Sequence, residues 1–80
     1  MKTADVVRAE HTKKLLEDKE IFNIVDGITE TLYTQVIKEN KYHLHRKYPI
    51  DIAKKVAFCL RFLDYNVIEY KHGKLEVFIR

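Results

Sequence analysis

From residue 3 to residue 39, the apolar positions Leu15, Phe22, Val25, Leu32 and Val36 recur at intervals of three, four or seven, with Ile21 and Ile28 broadening the stripe. That spacing is the signature of an amphipathic helix. Thr3 is placed to cap its start and Asp5 falls in its first turn. Before Leu15 only Val6, Val7 and Ala9 interrupt the charged residues, so this first stretch reads as an arm. A break or bend is expected between Lys19 and Asn23, because Asn23 can cap a second helix and Gly27 weakens a helix interior. Whether the segment is one bent helix or two, its helical character is expected to end near Asn40, a residue tolerant of the left-handed conformation.

The period then changes. Residues 41 to 47 alternate, Tyr42 and Leu44 to one side, Lys41, His43, His45 and Lys47 to the other, as a half-buried strand does. Pro49 supplies a first-turn proline and Asp51 an acid near the positive end of a helix running to about Leu63. Its inner stripe is read as Ile52, Val56, Cys59, Leu60 and Leu63, while Phe58 and Phe62 stand to the side one turn apart. The terminal stretch NVIEYKHGKLEVFIR reads as a hairpin closed by a two-residue turn at His72-Gly73. That turn pairs Glu69 with Glu76 and Ile68 with Val77, and puts Ile68, Tyr70, Leu75, Val77 and Ile79 on the core side.

The expected fold is α+β. A long N-terminal helical segment precedes a strand, a helix and a hairpin that together form a three-stranded mixed sheet with helices on one face. Residues 1–20 are read as the helical arm and residues 21–80 as the compact α+β part of a single domain. At 80 residues, a domain buries only about 60% of its unfolded surface, so self-association is expected to supplement its core.

Composition narrows the functional classes. The chain is 46% hydrophobic and 34% charged, with two glycines and one proline, which is globular composition. The one cysteine, Cys59, sits in the apolar run VAFCLRFL and fits a reducing cytoplasm. No apolar run approaches the roughly 18 to 20 residues of a membrane span, so no membrane partner is expected. The net charge of +3, from 15 Lys plus Arg against 12 Asp plus Glu, permits an anionic partner without demanding one.

Three constellations carry candidate chemistry. His43 and His45 stand two apart, a spacing that can chelate zinc, but Glu69, Glu76, His72 and His11 complete the coordination by no motif. No metal or other cofactor is therefore assigned. Lys41, His43, His45 and Lys47 gather positive charge, and Phe78 offers a ring for a base to stack on, which makes an anion or nucleotide platform. Glu69 and Glu76 resemble an acid-base pair, yet each is placed diagonal to a lysine (Lys74 and Lys71), so cross-strand ion pairs account for them. Cys59 has apolar and aromatic neighbours rather than a base. No enzyme activity is assigned. The strongest interaction signal is Phe58 and Phe62, together with the apolar side of the first segment, Val6, Val7 and Leu15, read as an oligomeric or partner interface.

The segments ENKY, CLRFLDYNV and LEVFIR resemble the pattern of a class of small tailed-phage accessory proteins. In that class a helical start leads through a GKY-like stretch into a strand, an L-x-x-x-GY-x-V junction joins helix to strand, and a hydrophobic strand closes the chain. Here the matching residues are Asn40, Lys41 and Tyr42, then Leu60 or Leu63 with Tyr65 and Val67, then Leu75, Val77 and Ile79. The chain departs from the pattern at Asn40 and Asn66, at Asp64 where the class has glycine, and in ending on Ile79-Arg80. The resemblance implies a phage-type accessory or counter-defence factor in the host cytoplasm, acting without catalysis by binding a host protein or sequestering an anionic ligand. The alternative is a nucleic-acid or nucleotide-binding protein that uses the basic and aromatic sheet face.

Overall fold

The structure is a computed structural model that describes residues 1–34, the backbone of 41–43, and residues 47–79. Its elements are α1 (Ala4–Leu16), α2 (Lys19–Thr34), β1 (Lys41–His43), α3 (Ile50–Phe62), β2 (Asn66–Glu69) and β3 (Leu75–Phe78).

The N-terminal segment is two helices. Thr3 caps α1, its Oγ1 accepting the Val6 N–H at 3.3 Å, and Lys13 and Lys14 occupy the last turn, where cations meet the negative end of the helix. The break falls at Glu17 and Asp18, ahead of the expected span from Lys19 to Asn23. The reason is the cap: the Asp18 carboxylate accepts the Glu20 N–H at 2.9 Å and starts α2 there, leaving Asn23 in the helix interior. The expected helix end near Asn40 lies outside the described residues.

Ile21, Val25, Ile28 and Leu32 form the buried stripe of α2, spaced four, three and four apart. The stripe faces α3, where Ala53, Val56, Ala57, Cys59 and Leu60 are all buried. The inner stripe of α3 is therefore shifted from the expected one: Ala53 and Ala57 join it, whereas Leu63 is 45% exposed. α3 packs on β2 from one side and on α1 and α2 from the other. Its Val56, Ala57, Cys59 and Leu60 consequently have no exposed surface at all.

The C-terminus of α3 ends in a paired hydrogen-bond motif. The Tyr65 N–H donates to the Leu60 carbonyl at 3.1 Å and the Asp64 N–H to the Arg61 carbonyl at 3.0 Å. These bonds satisfy carbonyls the helix leaves open and require a left-handed residue at Asp64, whose φ is 71°. Asp64 is the position at which the resembling class carries glycine.

The sheet corrects two expectations. Its regular part is the two-stranded antiparallel hairpin of β2 and β3, and the three-residue β1 borders the other edge of β3, also antiparallel, in the order β1-β3-β2. The three-stranded mixed sheet is overturned, because no parallel pair exists among the described residues. β1 and β2 run the same way but do not pair, since the hairpin return places β3 between them. α3 carries the chain past that central strand.

The hairpin register differs by one residue from the expected one. Val67 lies opposite Val77, Ile68 opposite Glu76 and Glu69 opposite Leu75. The turn is longer than a two-residue loop. The Gly73 N–H donates to the Tyr70 carbonyl at 3.1 Å, the Tyr70 N–H donates to the Lys74 carbonyl at 3.0 Å, and only Gly73 in the loop has positive φ, at 77°. This three-residue loop with a glycine bulge removes the need for a left-handed His72. A one-residue slip sends a strand's side chains to opposite faces. Val67 thus faces the core, while Ile68 and Tyr70, both expected inside, are 44% and 46% exposed.

The turn is held from outside. The Tyr48 N–H donates to the Gly73 carbonyl at 3.1 Å, and a Cβ on Gly73 would lie 1.9 Å from the Tyr48 carbonyl oxygen. The two left-handed positions should respond oppositely to substitution. Asp64→Gly is expected to stabilise the fold by about 1 kcal/mol, the cost a side chain carries in this conformation. Gly73→Ala adds a clash with backbone to the same strain and should destabilise by more than about 2 kcal/mol. Urea unfolding followed by circular dichroism checks both, and equal shifts would contradict this account of the turn.

Candidate interaction surface

α1 lies against α3 and α2, and its sequence explains what that packing leaves open. Its charged residues surround the helix, and only Thr12 is buried. Between α1 and the C-terminal half of α3 runs a cleft of about 600 Å³ floored by Val6, Ala9, Phe58 and Phe62, with Asp5, Arg8, Arg61 and Asp64 at its rim. A second cavity of about 370 Å³ continues it toward α2, lined by Ala9, Thr12, Lys13, Leu16, Glu17, Phe22 and Phe62. The two share Ala9 and Phe62, so they adjoin along α1 and together make an apolar trough in two parts. Phe22 is 48% exposed, Val6 43% and Phe62 40%.

Local contacts position this surface. Phe58 is partly buried, and its ring meets His11 of α1 edge-on with centroids 4.7 Å apart and planes at 82°. That geometry joins the positive edge of one ring to the face of the other and fixes α1 over α3. Phe62, one turn further along α3, reaches the helix end and stays open. At the rim, the Arg61 guanidinium donates to Glu69 Oε2 at 2.8 Å and to the Val67 carbonyl at 2.8 Å. Arg8 pairs with Asp5 along α1, and Lys2 with Glu10 at 2.7 Å.

The interface residues expected from sequence therefore separate. Val6, Phe58 and Phe62 line the trough. Val7 is 51% exposed and is absent from the cavity lining, while Leu15 is partly buried against the core. Ala9, Thr12, Leu16 and Phe22 belong to the trough although the sequence did not single them out for it. Phe22, expected in the apolar stripe with Ile21, is instead 48% exposed: the helix turns about 100° between neighbours, and Ile21 takes the buried side.

The basic and aromatic set is distributed differently. In the register, Lys41 lies opposite Phe78 and His43 opposite Glu76. His45 lies outside the described residues. Lys47 is exposed and lines a cavity of about 410 Å³ with Glu20, Ile24, Tyr48 and Ile52, between α2 and the start of α3. Phe78 borders a separate hollow with Arg61, Asn66 and Ile68.

The acidic pair does not form. Glu69 and Glu76 are not opposite each other in the observed register, and Glu69 pairs with Arg61 rather than with Lys74. Cys59 is fully buried, and burial raises the pKa of its thiol, which disfavours the reactive thiolate. Among the described residues there is no group of three or more His, Cys, Asp or Glu able to hold a metal ion, and no helix long and apolar enough to cross a membrane. Comparisons with protein-family models, curated proteins and solved structures find no match to this chain.

One polar atom of the trough is costly. Thr12 is 3% exposed, and its Oγ1 has no hydrogen-bond partner among the described residues. Thr12→Val keeps the shape and replaces the unsatisfied hydroxyl by a methyl group. It is expected to stabilise the fold by about 1 kcal/mol, as removal of an unpaired buried hydroxyl does. A lower unfolding midpoint for this variant would show that the hydroxyl is satisfied in solution.

Proposed function

We propose that this chain is a non-catalytic binding protein that meets a protein partner with the trough between α1 and α3. The observation that carries the reading is the gathering of Val6, Phe22 and Phe62, each two-fifths or more exposed, around two adjoining apolar clefts lined also by charged residues. Apolar surface of this kind, rimmed by charge, marks association sites. Burying one such phenylalanine contributes about 1.5 to 3 kcal/mol, enough for a few residues to dominate an interface. The groups that sequence offers for chemistry are engaged otherwise: Cys59 is core and Glu69 is held by Arg61. In the phage setting that the sequence resembles, the partner is a host protein or another copy of the chain.

Phe62→Asp tests the reading, with Tyr33→Asp as control because Tyr33 is 87% exposed on α2 and absent from the trough lining. Partners retained on immobilised wild-type protein should be lost on Phe62→Asp and kept on Tyr33→Asp, with both variants folded by circular dichroism. Equal retention by the two variants would remove the trough from the function.

A further inference from the structure

We propose that the occupant of the trough is a second copy of this chain, bound so that the two α1 helices run antiparallel about Ala9. This inference rests on the reading of the trough as a protein-binding surface. What selects the occupant is the order of charges on α1. Asp5 lies four residues before Ala9 and Lys13 four residues after it, and all three line the cleft or its continuation. Residues four apart share a helix face, and at a rise of 1.5 Å per residue Asp5 and Lys13 each stand about 6 Å from Ala9 along the axis.

A two-fold axis at Ala9 brings each Asp5 level with Lys13 of the other copy. It also brings Glu17, which borders the second cavity, opposite the segment carrying Lys2. Read from the N-terminal side, Lys2, Asp5, Lys13 and Glu17 alternate in sign and the reversed order opposes each one with its opposite; Arg8 and Glu10 oppose each other likewise, and Lys14 falls opposite Ala4. An isologous contact needs this self-complementarity, since every residue meets its counterpart twice. The parallel arrangement would set like against like at all four. Ala9, the smallest side chain in the trough, sits at the axis where two helices approach most closely, and Val6 and Phe62 flank it with exposed apolar surface. Asp5 also pairs with Arg8 of its own helix, so the second copy adds a partner to a carboxylate whose side chain is 89% exposed.

The test exploits the symmetry. Asp5→Lys alone sets the introduced lysine against Lys13 twice per dimer, and Lys13→Asp alone sets the introduced aspartate against Asp5 twice. Each variant should self-associate about tenfold more weakly than wild type in sedimentation equilibrium at low salt. An equimolar mixture of the two variants opposes lysine to aspartate at both contacts of the mixed dimer, so it should associate about as tightly as wild type, and a mixture as weak as either variant alone would overturn the proposal. The double variant carrying both Asp5→Lys and Lys13→Asp restores opposite charges at both contacts and should regain wild-type association. Loss of helix α1 cannot produce that recovery, because the double variant carries both substitutions in the same helix. A monomeric wild-type chain, unchanged self-association of the single variants, or a double variant as weak as the single ones would each overturn the proposal. Those outcomes leave the Phe62→Asp retention experiment standing as the separate measure of whether the trough binds protein at all.

Discussion

The fold depends on burying one helix from two sides. α3 supplies Val56, Ala57, Cys59 and Leu60 with no exposed surface, and it can do so only because the sheet covers one flank and α1 and α2 the other. Truncating a large side chain in such a position typically costs about 2 to 5 kcal/mol. A domain of this size has a total stability of about 5 to 15 kcal/mol, so the α3 contacts account for much of what holds it together. The end of α3 then governs the rest: its left-handed Asp64 turns the chain into β2, and Arg61 fastens β2 to the helix it has just left.

The two covering helices are unequal. α2 has a continuous apolar stripe and seals its flank of α3, whereas α1 contributes a single fully buried residue, Thr12, and leaves Phe62 partly open. The trough is the direct product of that imbalance. A helix with charges on all sides covers an apolar neighbour incompletely, and the uncovered remainder lies along the line of contact. Architecture and interaction surface therefore have the same cause in the composition of residues 4 to 16.

The period of apolar positions reveals the helices and the hairpin because it reports burial directly. Leu60, Val25 and Ile28 fall where their spacing puts them. What it does not report is which strand ends up in the middle. β3 lies between β1 and β2 because an antiparallel return needs only a short loop, and no local pattern encodes that order. The hairpin register is not legible because the sequence His72-Gly73 suits a two-residue turn, while the contact between Gly73 and Tyr48, 25 residues away in sequence, accompanies a longer one. Ile68 and Val67 are equally apolar, so composition alone cannot choose which faces inward. For the trough, Val6, Phe58 and Phe62 are readable as apolar residues in excess of what one core can cover. Ala9 and Thr12 are not, since their place there depends on the docking of α1.

Arg61 also determines how the sheet meets its surroundings. β2 is an outer strand, and an outer strand ordinarily offers its backbone as a template on which another chain can extend the sheet. The guanidinium occupies the Val67 carbonyl from the side and holds Glu69 across the same edge. One long side chain thus takes up an acceptor that this border would otherwise offer to a further strand, and the same residue joins β2 to its helix.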